Sequence, residues 1–211
     1  MPKKSAPKHI AIAGNIGAGK TTLTGLLAKQ FGWKPQYEDV EHNPYLADFY
    51  EDMKRWSFNL QVYFLNHRLR HLLEIRQGDV TVIQDRTIHE DAKIFAPNLF
   101  DMGLMTPRDY HNYEAFFETL QMMVRPPDLL IYLKASIPKL VEQIEVRGRE
   151  YEENIRLDYL KRLNKHYEAW IESYKDGPLL VIDVDKTDFI NNKDHLADVV
   201  RRVDAQVNGL F

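Results

Sequence analysis

Four short apolar runs rich in β-branched residues constrain the fold more than any other feature of this sequence. Each run is too short for a buried helix, and longer stretches with helical spacing of apolar residues lie between the runs. Continuous apolar runs of this length are typical of strands buried on both faces, and strands that alternate with helices form parallel sheets. The sequence therefore predicts an α/β fold: a parallel sheet of about five strands with helices on both faces. The predicted strands are His9–Ala13, Val80–Gln84, Leu129–Leu133 and Leu179–Val184, with a weaker fifth at Lys34–Glu38.

The length of 211 residues suits one large domain. We therefore predict a single domain over residues 9–211. Residues 1–8 are basic and lack the apolar core of a signal peptide, which predicts a loose tail. The predicted helices are Thr21–Phe31, Leu46–Arg76, Pro107–Val124, Pro138–Arg147, Leu157–Tyr174 and Lys193–Val207.

The composition excludes several classes of protein. There is no Cys, so disulfides, thiolate metal sites and a cysteine nucleophile are excluded, and a reducing compartment is compatible. The net charge of −3 gives no basic field that would hold a nucleic acid polymer. No apolar run approaches the roughly 18 residues needed to cross a bilayer. The sequence therefore predicts a cytoplasmic protein without a membrane or nucleic acid partner.

A glycine-rich segment follows the first predicted strand and leads into a helix. It reads G-x-x-x-x-G-K-T, the pattern of a phosphate-binding P-loop. The glycines let backbone N–H groups surround phosphates, Lys20 supplies a positive charge, and the Thr21 hydroxyl is a ligand for Mg²⁺. The segment predicts a nucleotide site but does not define a reaction. Its predicted nucleotide-binding residues are Gly14, Asn15, Ile16, Gly17, Ala18, Gly19, Lys20, Thr21 and Thr22.

Charged residues follow other predicted elements. Glu38 and Asp39 end or follow the second strand, Asp85 and Arg86 follow the third, and an arginine pair at 147 and 149 follows a later helix. Taken singly, each group also has a purely structural interpretation. Glu38 and Asp39 would lie in a solvated loop, Asp85 and Arg86 would form a structural ion pair, and the two arginines would end a solvated helix. In parallel sheets, however, the carboxyl ends of strands meet at one edge. Carboxylates and arginines that converge on a γ-phosphate there predict phosphoryl transfer.

The sequence resembles the deoxyribonucleoside kinases, in particular the bacterial deoxyadenosine/deoxyguanosine kinase branch of the deoxycytidine and deoxyguanosine kinase family. The resemblance covers nearly the whole chain and implies a P-loop NTPase fold with a helical, arginine-bearing lid at about residues 147–156. It also implies a kinase that takes the γ-phosphoryl group from ATP with Mg²⁺. The stretches that carry it, besides GNIGAGKTT, are Tyr37–Asp39, Phe49–Arg68, Asp85–Asp91 and Arg147–Leu160.

The resemblance implies roles for the reacting groups. Glu38 matches the carboxylate that binds the nucleoside 5′-hydroxyl and acts as its general base, and Arg86 matches the arginine that holds both. Arg147 and Arg149 match lid arginines that close on the phosphates. Asp85 matches an acidic residue that is either the proton acceptor or a Mg²⁺ ligand. Its position after an apolar strand, facing the P-loop, favours Mg²⁺, together with Thr21.

Substrate-binding residues also follow from the resemblance. Tyr50 and Glu152 match a pair on the sugar 3′-hydroxyl. Gln61 and Asp91 match readers of the base edge, and Phe95 matches an aromatic residue that stacks on the base. These groups suit adenine, guanine and cytosine better than thymine, and the resemblance favours purines, with deoxyadenosine first.

One further expectation concerns the geometry of a helix, and another concerns the pKa of Glu38. Tyr50 and Gln61 are eleven residues apart, which is about 16 Å along one helix and too long for a single nucleoside. We therefore expect the segment Leu46–Arg76 to break near Asp52–Arg55. A departure from the family pattern, Asp39 in place of Pro, adds a carboxylate that is expected to raise the pKa of Glu38.

Three other functions compete with this one. A nucleoside monophosphate kinase, similar to thymidylate kinase, shares the P-loop but needs basic residues where this chain has acidic ones. A non-catalytic nucleotide-binding subunit does not need Lys20, Thr21, Glu38 and Arg86 together. A GTPase switch needs the motif N-K-x-D, which Asn192–His195 does not match.

The resemblance also implies a homodimer. The candidate interface helices are Trp56–Arg76 and Pro107–Val124. Each of them carries more apolar residues than one core face readily absorbs. Those residues are Trp56, Leu60, Phe64 and Leu72 on the first helix and Phe116, Leu120 and Met123 on the second.

Overall fold

A computed structural model describes residues 8–38, 42–149, 152 and 155–209. It contains a five-stranded sheet in the order β2-β3-β1-β4-β5, and every neighbouring pair is parallel. The predicted α/β fold is therefore confirmed, including the short second strand. The strands are β1 (His9–Gly14), β2 (Lys34–Gln36), β3 (Val82–Asp85), β4 (Leu129–Lys134) and β5 (Leu179–Asp183).

Helices cover both faces of the sheet, because β1 carries apolar side chains on both of its faces. Ile10 and Ile12 pack into one apolar core, and Ala11 and Ala13 pack into the other, because successive side chains of a strand point to opposite faces. The helices among the described residues are α1 (Lys20–Phe31), α2 (Leu46–Glu51), α3 (Met53–Gln77), α4 (Ile88–Glu90), a π-helical turn (Asp91–Phe95), α5 (Ala96–Asp101), α6 (Pro107–Gln121), α7 (Ile137–Arg147), α8 (Leu157–Ser173) and α9 (Lys193–Asn208).

The break predicted near Asp52–Arg55 is confirmed. Asp52 lies between α2 and α3 with φ −136° and ψ 80°, outside helical geometry. Its side chain accepts a hydrogen bond from the Arg55 backbone N–H at 3.0 Å, so it caps α3. The break therefore places Tyr50 on α2 and Gln61 on α3 rather than on one continuous helix.

The helical stretch from Ile88 to Asp101 is absent from the predicted elements. It consists of two short α-helices joined by the π-helical turn, in which the Ala96 N–H bonds to the Asp91 carbonyl five residues earlier. A π turn disrupts the 3.6-residue spacing on which the helix prediction depends. The stretch packs against α3, α6 and α8, so tertiary contacts support it.

The assumption about surplus apolar residues on α3 and α6 is partly wrong. Leu60, Leu72 and Leu120 lie in the core, because α3 and α6 pack against each other and against the α4–α5 stretch. Phe116 and Met123 are exposed, at 45% and 56% of their surface. The apolar surface left over is therefore smaller than the sequence suggests.

The N-terminal boundary of the domain also differs by one residue. Lys8, assigned above to the tail, donates its backbone N–H to the Thr81 hydroxyl at 3.1 Å, and its carbonyl accepts from the Val82 N–H at 2.9 Å. Residues 1–7 lie outside the described part of the chain. Within the described part, no helix is both long and apolar enough to cross a membrane, and the cytoplasmic location stays a prediction.

Candidate active site

The glycine-rich segment connects β1 to α1 and needs three of its glycines. Gly14, Gly17 and Gly19 have φ values of 155°, 85° and 88°, a region that other residues rarely adopt. A Cβ atom on Gly17 would lie 2.7 Å from the carbonyl oxygen of Leu140. Only glycine therefore allows this segment to curve tightly against α7 and present its N–H groups to a phosphate.

Lys20 begins α1 with its ammonium group buried. Nζ donates to the Asn15 carbonyl at 3.0 Å, inside the loop that it closes. Burial is the main reason that the pKa of Lys20 falls to about 8, and the nearby Arg86 guanidinium lowers it further. A partly desolvated cation of this kind interacts strongly with an arriving phosphate.

Asp85 ends β3 beside the P-loop. Its Oδ2 accepts a hydrogen bond from the Thr21 hydroxyl at 2.5 Å, and its Oδ1 is buried without a hydrogen-bond partner among the described residues. Burial raises the pKa of Asp85, against the charge of Lys20. A carboxylate oxygen and a hydroxyl oxygen are donors that Mg²⁺ prefers. The unpaired Oδ1 therefore fits a cation site next to the P-loop.

Arg86 and Glu38 form an ion pair at the next position along this edge. Arg86 adopts φ 68°, the single positive value for a non-glycine residue in the described part of the chain, while its N–H bonds to the Ile12 carbonyl. Its Nε lies 3.4 Å from Oε2 of Glu38. A strained backbone of this kind persists where the surrounding structure holds a side chain in one required direction.

The direction of the pKa shift of Glu38 differs from the expectation. Burial alone would raise its pKa, but Arg86, Arg68 and Lys20 together lower it to about 2. The expected rise is therefore wrong in direction, because three cations face this carboxylate. Asp39, on which that expectation rested, lies outside the described residues.

Arg68 is a site residue that sequence reasoning did not assign. It is buried on α3, its Nη2 lies 2.5 Å from Oε1 of Glu38, and its Nε bonds to Asp91. One guanidinium thus links the carboxylate near the P-loop to the carboxylate on the π-helical turn. The sequence held a clue, because Arg68 follows Gln61 by seven residues and so shares its helical face, and a buried arginine requires carboxylate partners.

A cavity above the carboxyl edge of the sheet brings the predicted residues together. α2 and α3 form one wall, and the break at Asp52 puts Tyr50 and Gln61 on the same cavity. Oε1 of Gln61 is buried and has no hydrogen-bond partner within the described residues. The predicted residues that line the cavity are Ile16, Lys20, Thr21, Glu38, Tyr50, Gln61, Asp85, Arg86, Asp91, Phe95, Arg147, Arg149 and Glu152.

The far wall of the cavity follows α7. Arg147 is the last residue of this helix, and Gly148 ends it in the left-handed conformation. The Arg147 guanidinium makes two hydrogen bonds to the carboxylate of Glu152, at 2.6 and 2.9 Å, and Arg149 lies 3.6 Å from it. Both arginines and this glutamate therefore form one cluster. Residues 150, 151, 153 and 154 of the predicted lid lie outside the described residues.

The side chains that line the cavity offer different chemical groups at its two ends. At one end, Lys20, Thr21 and Asp85 offer an ammonium, a hydroxyl and a carboxylate, which suit phosphates and a cation, and Glu38 lies next to them as an ionised carboxylate. The other end has Gln61 and Asp91, which offer amide and carboxylate groups, with the Phe95 ring 4.5 Å below the Arg86 guanidinium. Such a site accepts a phosphate donor at one end and a polar, flat molecule at the other.

Comparison with known proteins agrees with this geometry. A family model described as deoxynucleoside kinase matches residues 10–208. A deoxyadenosine/deoxycytidine kinase of Bacillus subtilis (strain 168) is 38% identical over 207 residues, which cover 96% of this chain and 95% of that protein. A deoxyguanosine kinase of Lactobacillus johnsonii is also 38% identical, over 94% of this chain and 92% of its own.

Solved structures show the same similarity in three dimensions. A deoxyadenosine kinase from M. mycoides with bound dATP superposes with a TM-score of 0.83 at 31% identity. The match covers 93% of this chain and 99% of that chain. The similarity therefore extends over most of the fold.

Proposed function

Because this chain belongs to the deoxynucleoside kinase family and is a phosphotransferase that acts on deoxynucleosides, we propose that it transfers the γ-phosphoryl group of ATP to the 5′-hydroxyl of a purine deoxynucleoside, deoxyadenosine first. The observation that carries the proposal is the ionised Glu38 next to Lys20, held by Arg86 and Arg68. An acid at the acceptor position suits an uncharged alcohol and repels a nucleoside monophosphate. It therefore disfavours the monophosphate kinase alternative.

In the proposed reaction, Glu38 accepts a hydrogen bond from the 5′-hydroxyl and orients its oxygen toward the γ-phosphorus. A bond forms between the 5′-oxygen and phosphorus, the bond to the ADP oxygen breaks, and the hydroxyl proton passes to Glu38. Arg86 keeps Glu38 in place during the transfer. Because the transition state is loose, positioning and charge stabilisation supply most of the rate enhancement.

The donor phosphates lie on the P-loop in this proposal. The N–H groups of residues 14–21 and the ammonium of Lys20 bind the phosphates, and Arg147 and Arg149 close over them from α7. Thr21 and Asp85 would hold Mg²⁺, since the buried Oδ1 of Asp85 is otherwise unpaired among the described residues. When bound, Mg²⁺ neutralises charge on the phosphate oxygens.

Base recognition rests on the other end of the cavity. The unpaired Oε1 of Gln61 and the carboxylate of Asp91 accept hydrogen bonds from an exocyclic amine, which adenine has and thymine lacks. Arg68 fixes the carboxylate of Asp91, and Phe95 offers a ring for stacking. The relatives named above are kinases of deoxyadenosine and deoxycytidine and of deoxyguanosine, so the preference for adenine among these bases is the most specific part of the proposal.

The function is tested with purified protein, MgATP, the four deoxynucleosides and dTMP. We expect 5′-monophosphates from the purine deoxynucleosides, with the highest kcat/KM for deoxyadenosine, and no diphosphate from dTMP. Preference for deoxycytidine or thymidine would contradict the base assignment. Phosphorylation of dTMP alone would contradict the acceptor.

Tyr50 and Glu152 are proposed to share the sugar 3′-hydroxyl, which the reaction does not consume. A 2′,3′-dideoxynucleoside would leave both groups without this partner, at about 1–3 kcal/mol each. We therefore expect 2′,3′-dideoxyadenosine to lose roughly 10- to 10³-fold in kcat/KM relative to deoxyadenosine. Tyr50→Phe should remove much of this discrimination, because it removes the phenolic hydroxyl that is proposed to bond to the 3′-hydroxyl. Equal efficiency of the wild type toward both substrates would contradict this placement.

We also propose a homodimer formed through α3 and α6. Leu73, Phe116, Met122 and Met123 lie on or just after these helices and expose 42% to 83% of their surface. We expect sedimentation velocity at micromolar concentration to show twice the monomer mass of 24.8 kDa, and Phe116→Glu to shift it toward the monomer. Ile190→Glu, at an exposed position before α9, is the matched control and should not. A monomeric wild type would contradict the proposal.

A further inference from the structure

Glu90 is a completely buried carboxylate that does not line the cavity. It is the last residue of α4, five positions after Asp85, and it takes no part in the proposed reaction. A buried carboxylate is costly unless every oxygen is hydrogen-bonded. The partners of Glu90 therefore indicate what it holds in place.

One oxygen of Glu90 has an ordinary structural role. Oε2 accepts from the Thr87 backbone N–H at 2.7 Å and from the Thr87 hydroxyl at 3.3 Å. The Thr87 side chain in turn accepts from the Glu90 backbone N–H, which completes a helix capping box. This contact fixes the backbone immediately after Arg86. Because Thr87 is held in place, the contact stabilises the positive φ of the preceding residue, Arg86.

The other oxygen reaches two different elements, which a capping box does not require. Oε1 accepts from the backbone N–H of Gly14, the first residue of the P-loop, at 3.2 Å. It also accepts from the Tyr167 hydroxyl of α8 at 2.7 Å. One carboxylate therefore connects the entrance of the P-loop, the segment after β3 and the helix that follows the lid.

Tyr167 extends this connection to the reacting groups. Its buried hydroxyl accepts from Nη1 of Arg86 at 3.4 Å while it donates to Glu90. Arg86 in turn pairs with Glu38 at 3.4 Å. A continuous chain of polar contacts thus runs from Gly14 through Glu90, Tyr167 and Arg86 to Glu38.

The described partners of Glu90 all donate to it, and a carboxylate is the side chain that only accepts. A glutamine would present its NH₂ group either to the Thr87 N–H or to the Gly14 N–H, and neither of these backbone groups can accept. Donor would then face donor in a completely buried site. A carboxylate therefore fits this position better than an amide does, for a geometric reason.

We propose that Glu90 is a positioning residue for phosphoryl transfer, one that sets the distance between the P-loop and the Arg86–Glu38 pair through Gly14, Thr87 and Tyr167. The inference rests on the proposed function, because it assigns the donor phosphates to the P-loop and the acceptor hydroxyl to Glu38. A misplacement of about 1 Å between reacting groups can cost about 10²-fold in rate. Glu90 controls this distance without contact to either substrate.

The test compares Glu90→Gln with the wild type in kcat, in KM for deoxyadenosine and in melting temperature. We expect kcat to fall about 10- to 100-fold, while KM changes by less than about 3-fold, because the base and sugar contacts are untouched. A merely structural capping role predicts a lower melting temperature with unchanged kcat per folded enzyme. That result would overturn the proposal. An inactive wild type would instead contradict the proposed function itself.

Tyr167→Phe keeps the carboxylate and removes the link to Arg86, so it tests the proposal even where Glu90→Gln does not fold. We expect kcat to fall about 3- to 10-fold, and the effects of the two substitutions to be less than multiplicative in the double variant. Tyr132→Phe is the matched control, because this buried tyrosine stacks on Tyr167 at 6.0 Å but has no part in the chain of contacts. It should leave kcat unchanged. Equal kcat in Tyr167→Phe and Tyr132→Phe would overturn the route through Tyr167.

Discussion

Lys20→Ala is expected to lower kcat by more than about 10³-fold, to below detection in an ordinary assay, while the protein stays folded. The ammonium group of Lys20 is buried beside the P-loop carbonyl of Asn15, where its charge is little screened. Removal of that charge leaves the β- and γ-phosphates without their main side-chain cation as negative charge shifts during the transfer. No other described lysine lines the cavity, and the arginines that line it are paired with Glu38 or Glu152.

The fold should tolerate the change, because burial of an ammonium is itself unfavourable. The pKa of Lys20 is lowered to about 8, which shows that this site disfavours the charge when no phosphate is present. A melting temperature within a few degrees of wild type would support this interpretation. Lys29→Ala, at the exposed last turn of α1, is the matched control and should retain full activity. Unchanged kcat in Lys20→Ala would contradict the P-loop assignment.

Local sequence determined much of what was predictable. The apolar run around Ile10 to Ala13 and the glycines after it depend on neighbours within a few residues, so their strand and loop are readable from composition and spacing. The break at Asp52 was predictable for a different reason. Two residues expected on one small ligand were too far apart for an unbroken helix.

Contacts between distant segments determined the rest. Arg68 has its role because Glu38 and Asp91, 30 residues before it and 23 after it, meet its guanidinium. The π-helical turn between Asp91 and Phe95 is stabilised by packing on α3 and α8 rather than by a residue pattern. The pKa of Glu38 also depends on distant segments, because the cations that lower it come from α1, α3 and the segment after β3.

The two carboxylates nearest the P-loop have contrasting surroundings, and this contrast favours different roles for them. Glu38 faces three cations, which keep it ionised, and it lines the cavity. Asp85 bonds to the Thr21 hydroxyl and keeps one buried oxygen unpaired among the described residues. An unpaired oxygen beside a P-loop threonine suits a metal ligand. A carboxylate that stays ionised can accept a hydrogen bond from an acceptor hydroxyl and then its proton.

Glu38→Gln should therefore lower kcat by about 10²- to 10⁴-fold, with a smaller change in KM for the deoxynucleoside, because proton acceptance matters in the transition state. Since the pKa of Glu38 is about 2, this carboxylate stays ionised across the neutral range and should add no acidic limb to the wild-type rate there. The comparison variant is Asp85→Asn, for which we expect a higher Mg²⁺ concentration at half-maximal rate. If Asp85→Asn instead lowers kcat with normal Mg²⁺ dependence, and Glu38→Gln does not, the two roles are reversed. The amide that Glu38→Gln introduces would still bond to the 5′-hydroxyl but accept no proton, so the loss in this variant isolates proton transfer from binding.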